Sequence, residues 1–142
     1  MGAVNGRPLP QPYAPSILIV ADDPDIRWLC QSSLEEFGYF VAQASSGREA
    51  ICAVKEHYFD LMLLDLSLPS QDAIPLIVAA HAACPWLNVI VIFGFMEESL
   101  VRVAETMGAS GTLNKALAPQ ILLPTVCKVL ATGSMENPRG AL

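Results

Sequence analysis

Five times between residues 16 and 131 a strand-sized apolar run is followed by a stretch with helical periodicity, and this repetition constrains the fold more than any other feature. The runs are "SILIVA" (16–21), "YFVAQA" (39–44), "FDLMLLDL" (59–66), "LNVIVIFG" (87–94) and "SGTLN" (110–114). Near-continuous apolar strands alternating with amphipathic helices imply a parallel sheet covered on both faces, joined by right-handed crossovers. The helix signals are local. Asp23 is a candidate N-cap, Pro24 stands at the first helical position, Gly38 lies just past the end, and Ile26, Leu29, Cys30, Leu34 and Phe37 share one face. Ser46-Gly47-Arg48-Glu49 reads as a capping box opening a helix through about His57. Further helices are expected from about Asp72 to Ala83, from Glu97-Glu98 to just before Gly108, and from Pro119 to about Ala131, with Pro124 a distortion or a late start.

Residues 1–15 carry Pro8, Pro10, Pro12 and Pro15 and little charge, so they read as a flexible Pro-rich leader. Residues 16–131 form the single domain, and 132–142 a flexible tail or a truncated linker. Just over half of the 142 residues are apolar and 15% are charged, which suits a domain with a proper core and excludes a disordered chain. A net charge of −6 without a Lys/Arg cluster lacks the electrostatic footprint of nucleic-acid or membrane-surface binding. No apolar run is long enough to span a bilayer, and the N-terminus lacks the pattern of a signal peptide; Gly6 also stands where a myristoylation motif needs Ser or Thr. Cys30, Cys52, Cys84 and Cys127 are widely spaced and read as buried, reduced thiols, which points to the cytoplasm. His81 and Cys84 have the spacing of one edge of a metal site but no second pair accompanies them. Trp28 and Trp86 read as packing residues, His57 and His81 as solvated helix residues.

In open parallel sheets, ligands bind beyond the carboxyl ends of the strands. The residues there are Ala21-Asp22-Asp23, Asp65-Leu66-Ser67, Phe93-Gly94 and Asn114-Lys115. Three carboxylates and a lysine are therefore expected on one rim. Asp65 sits in the run "LMLLDLSLPS", where a charge needs a partner, solvent or a metal. Asp22, Asp23 and Asp65 would repel one another unless a divalent cation sat among them, and their oxygen ligands suit Mg2+. Lys115 supplies a compact positive charge for Asp65 or for an anion. The plainer alternatives are a strand-end carboxylate capping its loop, helix N-capping by the two acids, and a solvated lysine.

"ILIVADDPDIRWL", "DLMLLDLSLP" and "GASGTLNKAL", in this order, resemble the receiver domain of bacterial two-component response regulators over about residues 16–131. The resemblance implies a five-stranded doubly wound parallel sheet of order 2-1-3-4-5, the flavodoxin-like fold. It implies that Asp65 accepts a phosphoryl group from a sensor histidine kinase or phosphotransfer protein. Asp22, Asp65 and the Ser67 carbonyl would ligate Mg2+, with Asp23 as an auxiliary acid and Lys115 pairing with the phosphoryl group. The face formed by the fourth helix, fifth strand and fifth helix would contact an output partner or a second copy. Of the apolar side chains of the last two helices, Leu100, Val103 and Met107 and then Ile121, Leu122, Leu123, Val126, Val129 and Leu130, one stripe covers the sheet, but the second set is wider than one face requires and reads as either an exposed patch or a broad buried stripe.

This chain departs from the family's pattern at several auxiliary positions. Ala21 takes the place of the first acid, Phe93 that of a Ser or Thr after strand 4, Thr112 that of the strand 5 aromatic, Ala116 that of a proline and Ala73 that of a glycine. Phe93 and Thr112 read either as a reciprocal swap that preserves packing volume or as independent drift. Because a non-proline cis bond is costly, Ala116 is expected to alter how Lys115 is placed. Two functions follow: a phosphoacceptor signalling domain, not an enzyme, or a pseudo-receiver that binds partners without phosphorylation. A flavodoxin-like enzyme is disfavoured because the acidic first loop repels a flavin phosphate, and a haloacid-dehalogenase-type phosphatase because Ser67 stands where it needs a second Asp.

Overall fold

The structure, a computed structural model, describes Ala3–Val4, Arg7–Pro8 and residues 14–132. Five parallel strands, β1 (Ser16–Val20), β2 (Phe40–Ala44), β3 (Leu61–Asp65), β4 (Asn88–Phe93) and β5 (Gly111–Asn114), form one sheet in the order 2-1-3-4-5. Between and after them run α1 (Pro24–Phe37), α2 (Gly47–Glu56), α3 (Ser70–Ala83), α4 (Glu98–Thr106) and α5 (Ala118–Thr132). The doubly wound architecture is the one expected.

Side chains alternate along the buried strands and feed two cores. Leu18, Val20, Met62, Leu64, Val89 and Val91 join the buried residues of α2, α3 and α4 on one face. Ile17, Ile19, Leu61, Leu63, Ile90 and Ile92 meet Cys30 and Leu34 of α1 and Leu122, Val126 and Val129 of α5 on the other. Both faces of β3 are therefore covered, and every residue from Leu61 to Asp65 is fully buried.

Local signals explain the boundaries. Asp23 caps α1 by accepting a hydrogen bond from the Asp25 amide at 2.9 Å, and Gly38 ends it at φ +110°, a left-handed conformation suited to glycine. At α2, Ser46 Oγ accepts from the Glu49 amide, while Glu49 Oε1 reaches past Ser46 to the amide and hydroxyl of Ser45 at 2.7 and 2.8 Å. The capping box is shifted by one residue on that side. α3 begins two residues earlier than expected, because the Pro69 carbonyl already accepts from the Asp72 and Ala73 amides. α5 runs unbroken through Pro124; the carbonyl that this proline leaves without a helical partner belongs to exposed Gln120, on the solvent side. Gly111 is held by close approach of β5 to α5: a Cβ there would lie 2.9 Å from Val129 Cγ2.

Ala3–Val4 and Arg7–Pro8 make a two-rung antiparallel pair separate from the main sheet. The rest of the leader up to residue 13 and the tail from 133 onward, both expected to be flexible, lie outside the described residues.

Three expectations are corrected by packing. Trp28 is not packed on a helix face: it is 69% exposed on α1. Cys52 is exposed, whereas Cys30 and Cys84 are buried and Cys127 is half-buried; no disulfide joins them. His81 is not simply solvated, since its Nε2 donates to the Leu87 carbonyl at 2.8 Å and its ring abuts Gly108. Of the two readings left open for the last helices, α5 follows the buried one: it buries Leu122, Val126 and Val129 and half-buries Ile121, Leu123 and Leu130, so most of its broad stripe is core; the exposed apolar residues in this part of the molecule are Val103 on α4, Met107 just after it and Leu117 before α5. Trp86, by contrast, packs as expected, stacked on Tyr58 with ring centroids 6.0 Å apart.

Candidate functional site at the carboxyl edge of the sheet

β3 delivers Asp65 to the sheet's carboxyl edge, where the ladder with β4 ends opposite Ile92 and the chain turns back through Leu66 to Leu68. The Asp65 side chain is fully buried. Two groups compensate its Oδ1: the Ser67 amide donates to it at 2.9 Å, and Lys115 Nζ stands 3.1 Å away. Lys115 Nζ also donates to Ser67 Oγ at 3.2 Å, closing a three-membered polar cluster across two loops. Oδ2 has no hydrogen-bond partner although it is buried. An acceptor atom left open in so dry a place is a standing cost unless something binds it.

Lys115 reaches Asp65 along a trans backbone, in keeping with the alanine at position 116. The described residues contain no cis peptide bond. Instead, Asn114 Oδ1 accepts from the Ala116 amide at 2.9 Å and caps the single 3-10 turn Lys115–Leu117. That hydrogen bond needs an N–H at position 116, which a proline lacks. The alanine and Asn114 thus act together to aim the lysine.

Beyond β1 the picture differs. Asp22 and Asp23 are exposed. Asp23 is committed to its helix cap, and among the described residues no group of three His, Cys, Asp or Glu side chains is close enough to hold a metal. The expected convergence of three carboxylates is therefore corrected: Asp23 leaves it, because the first turn of α1 offers its carboxylate an unpaired amide. Nor do His81 and Cys84 form part of a metal cluster. For Mg2+ the remaining donor set is all oxygen: the open Asp65 Oδ2, Asp22 and the Ser67 carbonyl. The orphaned buried Oδ2 fits a hard cation.

The divergent positions occupy defined places. Ala21 and Ala73 are fully buried. Phe93 is half-buried at the end of β4 and packs on the α2–α3–α4 core. In the β4–β5 register Val91 faces Thr112 and Phe93 faces Asn114, so Phe93 and Thr112 are diagonal neighbours on one face of the sheet.

Three features escaped the reading of the sequence. Phe95 and Met96 open an exposed 3-10 turn just after β4, 84% and 82% accessible, where a helix start was expected slightly later. Arg27 of α1 bonds the Ala21 carbonyl. Cys30 lies close to Asp65: burial and then the Asp65 charge push its thiol up to about 11. Only the spacing of Arg27, one helical turn after Asp23, gave any hint of these.

A family profile described as the response regulator receiver domain matches residues 17–126. The chain is 37% identical over 117 residues to transcriptional activator protein ExaE of Pseudomonas putida, covering 81% of this chain and 55% of that protein. It is 34% identical to transcriptional regulatory protein ZraR of Escherichia coli K12, covering 81% of this chain and 26% of that one. It thus spans about half and about a quarter of these two relatives. A CheY-like receiver domain from Methanospirillum hungatei superposes with a TM-score of 0.77 at 28% identity, covering 83% of this chain and 94% of that one. The receiver domain of AraT from Geobacillus stearothermophilus does so with a TM-score of 0.75 at 32% identity and the same coverage. The ordered parallel sheet, the buried carboxylate at the end of β3 and these matches agree: the chain belongs to the family of response regulator receiver domains.

Proposed function

We propose that this receiver domain accepts a phosphoryl group on Asp65 from a sensor histidine kinase or phosphotransfer protein. The observation that carries this reading is Asp65 Oδ2, buried and open, beside an Oδ1 already neutralised by Lys115. A carboxylate so placed can hold a cation through its open oxygen and attack phosphorus through the other once Lys115 has moved to the phosphoryl group. Asp22, Asp65 and the Ser67 carbonyl would hold Mg2+, which supplies neutralisation of phosphoryl charge when bound. Lys115, held by Asn114 and the turn after it, stands ready to transfer its pairing from Asp65 to a phosphoryl oxygen. Ser67 Oγ holds the ammonium in the meantime. In this reading the domain is a substrate of the transfer, not an enzyme, and acts in the cytoplasm. Its output partner, or a second copy, would dock on the face of α4, β5 and α5, where Val103 and Met107 are exposed.

Incubation with a small phosphodonor and Mg2+, read by intact mass, tests the acceptor. One phosphoryl group should appear on the wild type and none on Asp65→Asn with its fold intact. Labelling that persists in the variant refutes the assignment, and a wild type that never labels makes the domain a pseudo-receiver.

Phe93 limits the response that follows. Its ring offers no hydrogen-bond donor where the family has a hydroxyl, and one lost charge-assisted bond is worth roughly 1.5–3 kcal/mol. That is comparable to the gap between the two states of a typical switch. The shifts of α4 and β5 amides with beryllofluoride should therefore be small in the wild type and larger in the double variant Phe93→Thr, Thr112→Tyr. A wild-type response reaching across residues 96–130 would show an ordinary switch.

A further inference from the structure

Asp22 is the weakest-held member of the proposed site. It is exposed, and among the described residues its side chain makes no hydrogen bond or ion pair. Its direction is set by the backbone alone. The β1–β3 ladder ends two residues earlier, with Val20 opposite Leu64, and so does not reach it. What holds the peptide between Ala21 and Asp22 is the side chain of Arg27. Its Nη1 donates to the Ala21 carbonyl at 2.6 Å. Its Nε donates to Gln43 Oε1 at 2.9 Å, tying the guanidinium to β2. Gln43 in turn donates from Nε2 to Gln31 Oε1, and Gln31 to Glu35 at 3.2 Å, so the arginine's anchor is itself anchored to α1. On the other side the Ala21 amide donates to the Ala44 carbonyl at 3.1 Å.

We propose that Arg27 is a positioning residue: by clamping the Ala21 carbonyl it fixes the Asp22 carboxylate for a divalent cation, in a chain where Ala21 contributes no acid of its own. The inference rests on the metal reading above. Two contacts made by one planar fork are what an arginine provides and a lysine cannot. The charge of Arg27 works in the opposite sense, since a cation near the acidic loop repels a second cation. Clamp and charge are thus separable, because Arg27→Lys keeps the charge and loses the clamp. Loss of an interaction that orients a metal ligand lowers metal affinity by about tenfold or more.

The experiment titrates Mg2+ into the full chain and follows emission from exposed Trp28, next in sequence to the clamp, with amide exchange at residues 22 and 23 measured in metal-free protein. Arg27→Lys should weaken Mg2+ binding about tenfold and speed exchange at Asp22 without lowering the melting temperature. Gln43→Leu, which removes only the arginine's anchor, should shift both readouts the same way by less. A wild type whose Trp28 emission and amides near Asp65 never respond to Mg2+ overturns the metal reading and this inference with it. A wild type that responds, with Arg27→Lys binding Mg2+ equally well, overturns the clamp alone.

Discussion

The two loops that build the site are made in opposite ways. At the end of β3, Asp65 is wholly buried, hydrogen-bonded to the Ser67 amide and paired with Lys115. At the end of β1, Asp22 is exposed and held only through its peptide bond to Ala21. A charge placed in a dry environment must be compensated by the protein before any ligand arrives, so its geometry is over-determined. A charge on the rim is solvated at little cost and is free to exchange water for a cation. The buried and the exposed carboxylate therefore demand different kinds of support, and the fold provides both within one edge of one sheet.

The largest test of that contrast is a pair of charge removals. Lys115→Met strands a buried carboxylate and should lower stability by about 3 kcal/mol, the lower end for a broken buried pair because the Lys115 side chain keeps 29% of its exposure. Asp22→Asn should change stability by no more than about 0.5 kcal/mol. Urea unfolding at neutral pH gives both numbers, and equal effects would erase the distinction between the loops.

A second test reads the buried side through pH. Cys30 ionises at 9.0 in an unfolded chain but is pushed up to about 11 in the fold, so the native state holds its proton longer. That contribution is complete below pH 9 and is lost as the pH rises to about 11, on the order of 3 kcal/mol in all. Stability curves across this window should flatten in Cys30→Ala. An unchanged slope would mean that the thiol is not in the dry layer beneath Asp65.

The smallest effect belongs to the exposed side. Hydrogen bonds from the Ser45 amide and hydroxyl, with a lesser contribution from Arg27, hold the Glu49 carboxyl below its ordinary value of 4.5. Its stabilisation is present above that value and fades as the pH falls through the lowered one. Because Glu49 is on the surface, the Arg27 part should vanish in high salt while the Ser45 part remains. Carboxyl chemical shifts followed through an acid titration at two salt concentrations would separate them.

Much of this was legible in the chain itself. The alternation of strand and helix periodicities announced a doubly covered parallel sheet, and Asp23, Pro24 and Gly38 marked α1 correctly because caps are local chemistry. Asp65, Ser67 and Lys115 were legible as a group because strand ends in such a sheet share one edge. The strand order was implied by the resemblance to receiver domains.

What the sequence determined by itself was therefore what depends on neighbours along the chain: periodicity, caps, turns and the identities standing at each strand's end. Tertiary structure decided the rest. Trp28 and Cys52 are apolar residues on amphipathic helices, and only the position of the sheet shows that they face outward. Asp23 had two uses open to it, and the geometry of the first turn of α1 assigned it to the cap. The Arg27 clamp joins α1 to the end of β1 and to a glutamine sixteen residues away on β2. Lys115 meets Ser67 across forty-eight residues. Such contacts leave no trace in local spacing, because they exist only once two strands and their loops have been brought side by side.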